Sequence, residues 1–95
     1  MKKEKLHKIE LSEYEYELLM KDSLIIKDIL RTLLATAKRI KASYFLPMRL
    51  TQLTELIGLV AGEANHAKGK MLQNDLNDLC DYLESIENQL KKEQN

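Results

Sequence analysis

Along most of the chain, apolar residues recur at intervals of three and four, the spacing that lines one side of an α-helix. The first residues do not share it. MKKEKLHK carries four lysines against one glutamate, so residues 1–8 are expected to form a flexible basic arm. At Ile9 the pattern changes, because Ile9 and Leu11 alternate with the polar Glu10. Ser12, followed three residues later by Glu15, then predicts a helix start. Ser12 would accept a hydrogen bond from the Glu15 amide, Glu15 would reach back to the Ser12 amide, and Leu11 and Tyr16 occupy the two positions of a hydrophobic staple. Glu13, Glu15 and Glu17 suit the positive end of the helix dipole.

Beyond this start, Leu19, Ile26, Ile29 or Leu30, Leu33, Ala37, Ile40 and Tyr44 form one apolar row, and Leu18, Ile25 and Ile29 widen it. A stripe this broad is buried on more than one side, which suits a bundle better than a two-stranded coiled coil. The predicted helix runs from Glu13 to about Phe45, a length of about 50 Å, with Lys21, Asp22 and Ser23 as the place for a bend. Pro47 disfavours helical geometry at Leu46, so a turn is expected there. Leu46, Leu50, Leu53, Ile57, Val60, Ala64, Ala67 and Met71 then repeat as a heptad seam. A second seam, displaced by one residue, runs through Leu72, Leu76, Leu79, Leu83, Ile86 and Leu90. The phase break near Gly69 predicts that one helix ends there and another begins between Lys70 and Asn74.

These elements give an all-α fold class: a small antiparallel bundle of about three helices, with one long first helix, expected to be completed by a second copy in a homodimer. Residues 9–92 would form the single helical domain and residues 93–95 a disordered tail. The expectation of a dimer comes from length. A first helix of about 50 Å overhangs two later helices of about 30 Å, leaving part of its stripe uncovered. Leu19, Ile26, Leu30 and Leu33 are the expected interface residues. Gly58 and Gly62, one turn apart beside Ala61, join them because a face without bulk lets another backbone approach.

Composition narrows the setting. The chain has 95 residues, enough for one core, and its 15 basic residues balance 15 acidic ones, so no net field draws it to phosphate or anionic lipid. The single cysteine, Cys80, cannot form an internal disulfide, and neither a membrane span nor a secretory leader is legible, which leads to the expectation of a soluble cytoplasmic protein with no membrane partner. Charge is uneven, however. The 27–49 stretch holds Lys27, Arg31, Lys38, Arg39, Lys41 and Arg49 against Asp28, whereas residues 71–90 hold Asp75, Asp78, Asp81, Glu84 and Glu87 with no base. A basic patch of Lys38, Arg39, Lys41 and Arg49 beside Tyr44 and Phe45 would suit an acidic partner, or single-stranded nucleic acid as the less favoured alternative.

Little else points to chemistry. Glu63 and His66 have the Glu-x-x-His spacing that supplies half of a di-metal site in ferritin-like bundles, but the carboxylates needed from facing helices are not evident, so no metal and no cofactor is expected. ANHAKGK, followed by NDLNDLCDYLE, resembles the phosphate-accepting region of histidine-phosphotransfer domains, helical bundles that relay a phosphoryl group. That family places a histidine three residues before a Lys-Gly pair; here Asn65 stands at that place before Lys68 and Gly69, and His66 is one residue, about 100°, out of phase. With no Gly-rich phosphate loop and no Cys-x-x-Cys pair, the chain is expected to be a non-catalytic interaction or assembly module. The alternatives are a phosphorelay or metal-binding bundle centred on Glu63 and His66, and a nucleic-acid-associated regulator using the 27–49 stretch.

Overall fold

The computed structural model describes residues 5–21 and 36–93. Their order is strand β1 (His7–Ser12), helix α1 (Glu13–Lys21), strand β2 (Lys38–Ile40), strand β3 (Ser43–Met48), helix α2 (Leu50–His66) and helix α3 (Lys70–Glu93). The chain is therefore mixed α and β, and the all-α expectation is corrected by a three-stranded antiparallel sheet of order β1-β3-β2. The chain divides into two compact units, Met1–Leu50 and Thr51–Asn95.

In the first unit, β1 pairs with β3 so that His7 faces Met48, Ile9 faces Leu46 and Leu11 faces Tyr44. Residues directly opposite in an antiparallel pair share a face, so these six side chains lie on one side of the sheet. Ile9, Leu11, Leu46 and Met48 are buried there, and α1, which packs on β1 and β3, adds the buried Leu19. The Ser12 and Glu15 reading holds in detail. The Ser12 amide donates to Glu15 Oε1 at 2.8 Å and the Glu15 amide donates to Ser12 Oγ at 3.1 Å, a reciprocal cap that stops β1 and starts α1.

The first helix does not reach Phe45, since β2 and β3 occupy Lys38–Ile40 and Ser43–Met48. Ile40 and Tyr44, read as helical, lie in strands, and the expected turn at Pro47 is strand that continues to Met48. Proline lacks the donor that a central strand needs on both sides. Here β2 pairs only with Ser43, Tyr44 and Phe45, so β3 has passed the end of β2 by Pro47, and the missing N–H falls on a side without a ladder. The β2–β3 connection is the two residues Lys41 and Ala42, with Lys41 at φ 59°, a left-handed conformation that costs a lysine about 1 kcal/mol. The predicted interface residues Ile26, Leu30 and Leu33, and the predicted bend after Lys21, lie outside the described residues.

The second unit is a helical hairpin. Along α2 the buried residues are Leu53, Leu56, Ile57, Val60 and Ala64, and along α3 they are Leu76, Leu79, Cys80 and Leu83. The helices run antiparallel: Thr54 Oγ1 donates to Glu87, and the Cys80 thiol lies 4.0 Å from the Ile57 carbonyl. The expected break is at Gly69, which has φ 105° and whose carbonyl accepts from the Gln73 amide at 3.1 Å to begin α3. Met71, assigned by pattern to the first seam, is past this break and 80% exposed.

Candidate binding face

The sheet has a second face, built by the residues that alternate with the core. Across it, Lys38 lies opposite Phe45 and Phe45 opposite Glu10; Ile40 lies opposite Ser43 and Ser43 opposite Ser12; Pro47 lies opposite Lys8. Lys8, Glu10, Ser12, Lys38 and Ile40 are exposed, while Phe45 and Pro47 are half-buried. Ser43 Oγ donates to Glu10 Oε2 at 2.9 Å, which keeps that carboxylate on this face. Lys8, Thr36, Lys38, Ile40, Phe45 and Pro47 line an open depression of about 210 Å³. Its floor is apolar, and Ile40 is 54% exposed, a large aliphatic side chain that the described residues leave uncovered. Lysines stand on two sides of that floor.

Strand geometry divides the basic patch that the sequence suggested. Lys38 belongs to the outer face, but its neighbour Arg39 lies opposite Tyr44 on the other one. There Arg39 is engaged: its guanidinium is 3.3 Å from Glu13 Oε1, its Nε donates to the Lys41 carbonyl at 3.4 Å, and its Cζ is 5.9 Å from the Tyr44 ring centre. Both partners of the Arg39–Glu13 pair are about half exposed, so the pair orients the hairpin against α1 more than it stabilises it. Tyr16 stacks on Tyr44 with centroids 3.8 Å apart and planes within 5°. Burial, and secondarily the neighbouring Tyr44, push the Tyr16 hydroxyl above its ordinary pKa. Lys41 is in the turn and Arg49 between β3 and α2, so the four basic residues do not form one surface.

The other residues singled out by sequence are dispersed as well. Leu19 is buried against its own sheet. Gly58 is exposed and Gly62 half-buried, and a Cβ built on either meets nothing within 4 Å. Glu63 is half-buried in α2, and His66 is the exposed last residue of that helix. Among the described residues, no group of three His, Cys, Asp or Glu side chains converges as a metal site would require. Asn65 closes α2 with His66, while Lys68 and Gly69 lie in the turn after it. His7, read as part of the basic arm, is on the core face opposite Met48, with its Nε2 shielded and without a hydrogen-bond partner among the described residues. Burial, a hydrogen bond to Glu84 and the charges of Glu84 and Asp81 push the Cys80 thiol up to about 11, so it is a poor nucleophile near neutrality.

Sequence reasoning missed Lys8, Ile40, Phe45 and Pro47 as neighbours. The signal was the alternation His7 to Ser12, which as a strand puts Lys8 and Glu10 opposite the core. No helix among the described residues is long and apolar enough to cross a membrane. Compared with known proteins, the chain matches no family model, no curated protein and no solved structure.

Proposed function

We propose that this chain is a small non-catalytic interaction and assembly module that binds another protein chain through its sheet. The observation that carries the reading is the outer face, where Ile40, Phe45 and Pro47 form an apolar depression between Lys8 and Lys38. An apolar floor with a charged rim is the composition of a protein-binding patch. It favours protein over single-stranded nucleic acid for two reasons. Among the described residues Phe45 is the sole aromatic on this face, where nucleic-acid platforms stack several bases, and Glu10 directly beside it repels phosphate. A cytoplasmic setting goes with this reading, since Cys80 is a buried free thiol.

The test is affinity capture from the source cell with the unaltered chain and with Ile40→Glu, followed by mass spectrometry. Ile40 is exposed, so the substitution leaves the core intact while placing a charge in the depression. A protein held by the unaltered chain should be lost, or weakened on the order of tenfold, with Ile40→Glu. Equal capture by both chains refutes this face as the binding surface.

A further inference from the structure

We infer that β1 is the subunit contact of a homodimer, pairing antiparallel with its own copy so that Ile9 faces Ile9 of the partner subunit and Lys8 faces Glu10 of the partner subunit. The inference rests on the assembly reading above and gives it a defined partner, a second copy of this chain. Its starting point is that β1 stands at one edge of the sheet, with β3 as its strand neighbour among the described residues. An edge strand presents backbone donors and acceptors in the geometry of a ladder, and proteins commonly blunt such an edge with a lysine. Lys8, the second residue of β1, is such a residue. Glu10, two residues on and on the same face, changes what the lysine does.

Symmetry limits the ways two copies of β1 can meet. A two-fold axis that sets identical strands side by side and antiparallel must stand perpendicular to the sheet, so both core faces lie on the same side. Residues directly opposite share a face, so the axis must pass through a residue pair and not between two. Three centres keep Lys8 within the paired overlap of β1. Centring on Lys8 sets two lysines against each other, and centring on Glu10 sets two carboxylates against each other. Centring on Ile9 opposes Lys8 to Glu10 twice, once on each side of the axis. It also places the half-buried His7 opposite the buried Leu11 across the join, so the core face of one sheet continues into the next. Both charged side chains are exposed on the outer face, and the Ser43 hydrogen bond holds Glu10 there. Charge thus rejects the neighbouring registers and favours one.

The test is charge reversal, read as molar mass by light scattering at high micromolar concentration, with circular dichroism to establish that each variant is folded. The unaltered chain should have twice its 11.1 kDa mass. Lys8→Glu alone sets carboxylate against carboxylate twice, and Glu10→Lys alone sets ammonium against ammonium twice. Each should raise the dimer dissociation constant by roughly tenfold to a hundredfold. Mixing the two single variants should restore a dimer containing one chain of each, and the double reversal Lys8→Glu with Glu10→Lys should dimerise like the unaltered chain. Monomeric unaltered chain, single variants that dimerise normally, or a mixture that stays monomeric would each overturn the inference. None of these outcomes touches the loss of partner capture with Ile40→Glu, so failure here is distinguishable from failure of the outer-face reading.

Discussion

Replacing glycine by alanine at three positions should change stability with opposite signs. Gly58 and Gly62 lie inside α2, where glycine costs about 1 kcal/mol relative to alanine because the unfolded chain has more freedom to lose. A Cβ at either position meets nothing within 4 Å, so no steric term offsets the gain. Gly58→Ala and Gly62→Ala are each expected to stabilise by about 0.5–1 kcal/mol. A Cβ at Gly69 also meets nothing within 4 Å, but its φ of 105° lies where an L side chain is strained. Gly69→Ala should therefore destabilise by roughly 1–2 kcal/mol through backbone strain alone. Urea unfolding followed at the helical dichroism band measures all three, and each kcal/mol corresponds to about 4–8 °C in Tm for a domain of this size. A destabilising Gly58→Ala would refute the reasoning. It would mean that another chain packs closely against that side of α2, as the sequence pattern had suggested.

Two further outcomes follow from the second unit. Leu53→Asp and Leu83→Asp should each cost several kcal/mol, because both leucines are fully buried, whereas Met71→Asp should leave the thermal melt within about 0.5 kcal/mol of the parent because Met71 is 80% exposed; equal melts for all three would refute the assigned core. Cys80 titrates at about 11 when folded against an ordinary 9.0, so the folded state binds the thiol proton more tightly, and its stabilising contribution is complete below about 9 and lost as pH rises toward about 11. Alkylation of Cys80 should accordingly be slow at pH 8 in the native protein and fast in urea, and equal rates would contradict the burial.

The helical parts were legible because their signals are local. Ser12 and Glu15 form a cap that depends on four consecutive residues, and Leu53, Ile57, Val60 and Ala64 repeat over a helix whose end is set by Gly69. The sheet was not legible, for particular reasons. The β2–β3 turn holds Lys41 and Ala42, without the Asn-Gly or Gly-x that marks a two-residue hairpin. β2 is three residues long, too short to show a period of two, and Pro47 argues against a central strand until the end of β2 is known. Ile40 and Tyr44 also happen to continue the spacing of a preceding helical pattern. The candidate face suffered most from this error. Adjacent residues on a helix stay within about 100° of each other, whereas on a strand they point to opposite sides, so Lys38 and Arg39 separate while the distant Lys8 and Lys38 come to flank one depression.

The two edges of this sheet are unlike, and the difference bears on which of them can recruit a strand. β2 pairs along only Lys38, Arg39 and Ile40, and all three of its residues are exposed. A strand added there would gain few backbone hydrogen bonds and would meet Lys38 and Arg39 without an acidic residue in β2 to set its register. β1 has twice that length, contains neither proline nor glycine, and alternates buried Ile9 and Leu11 with charged Lys8 and Glu10. Length supplies the ladder, the apolar side chains extend a core face, and the opposite charges choose the alignment. The outer face is left open by this arrangement, because pairing at an edge extends a sheet in its own plane. An edge-paired dimer would thus present two copies of the Ile40–Phe45–Pro47 depression on the same side, related by the two-fold axis, and a partner with two matching segments would gain from both at once.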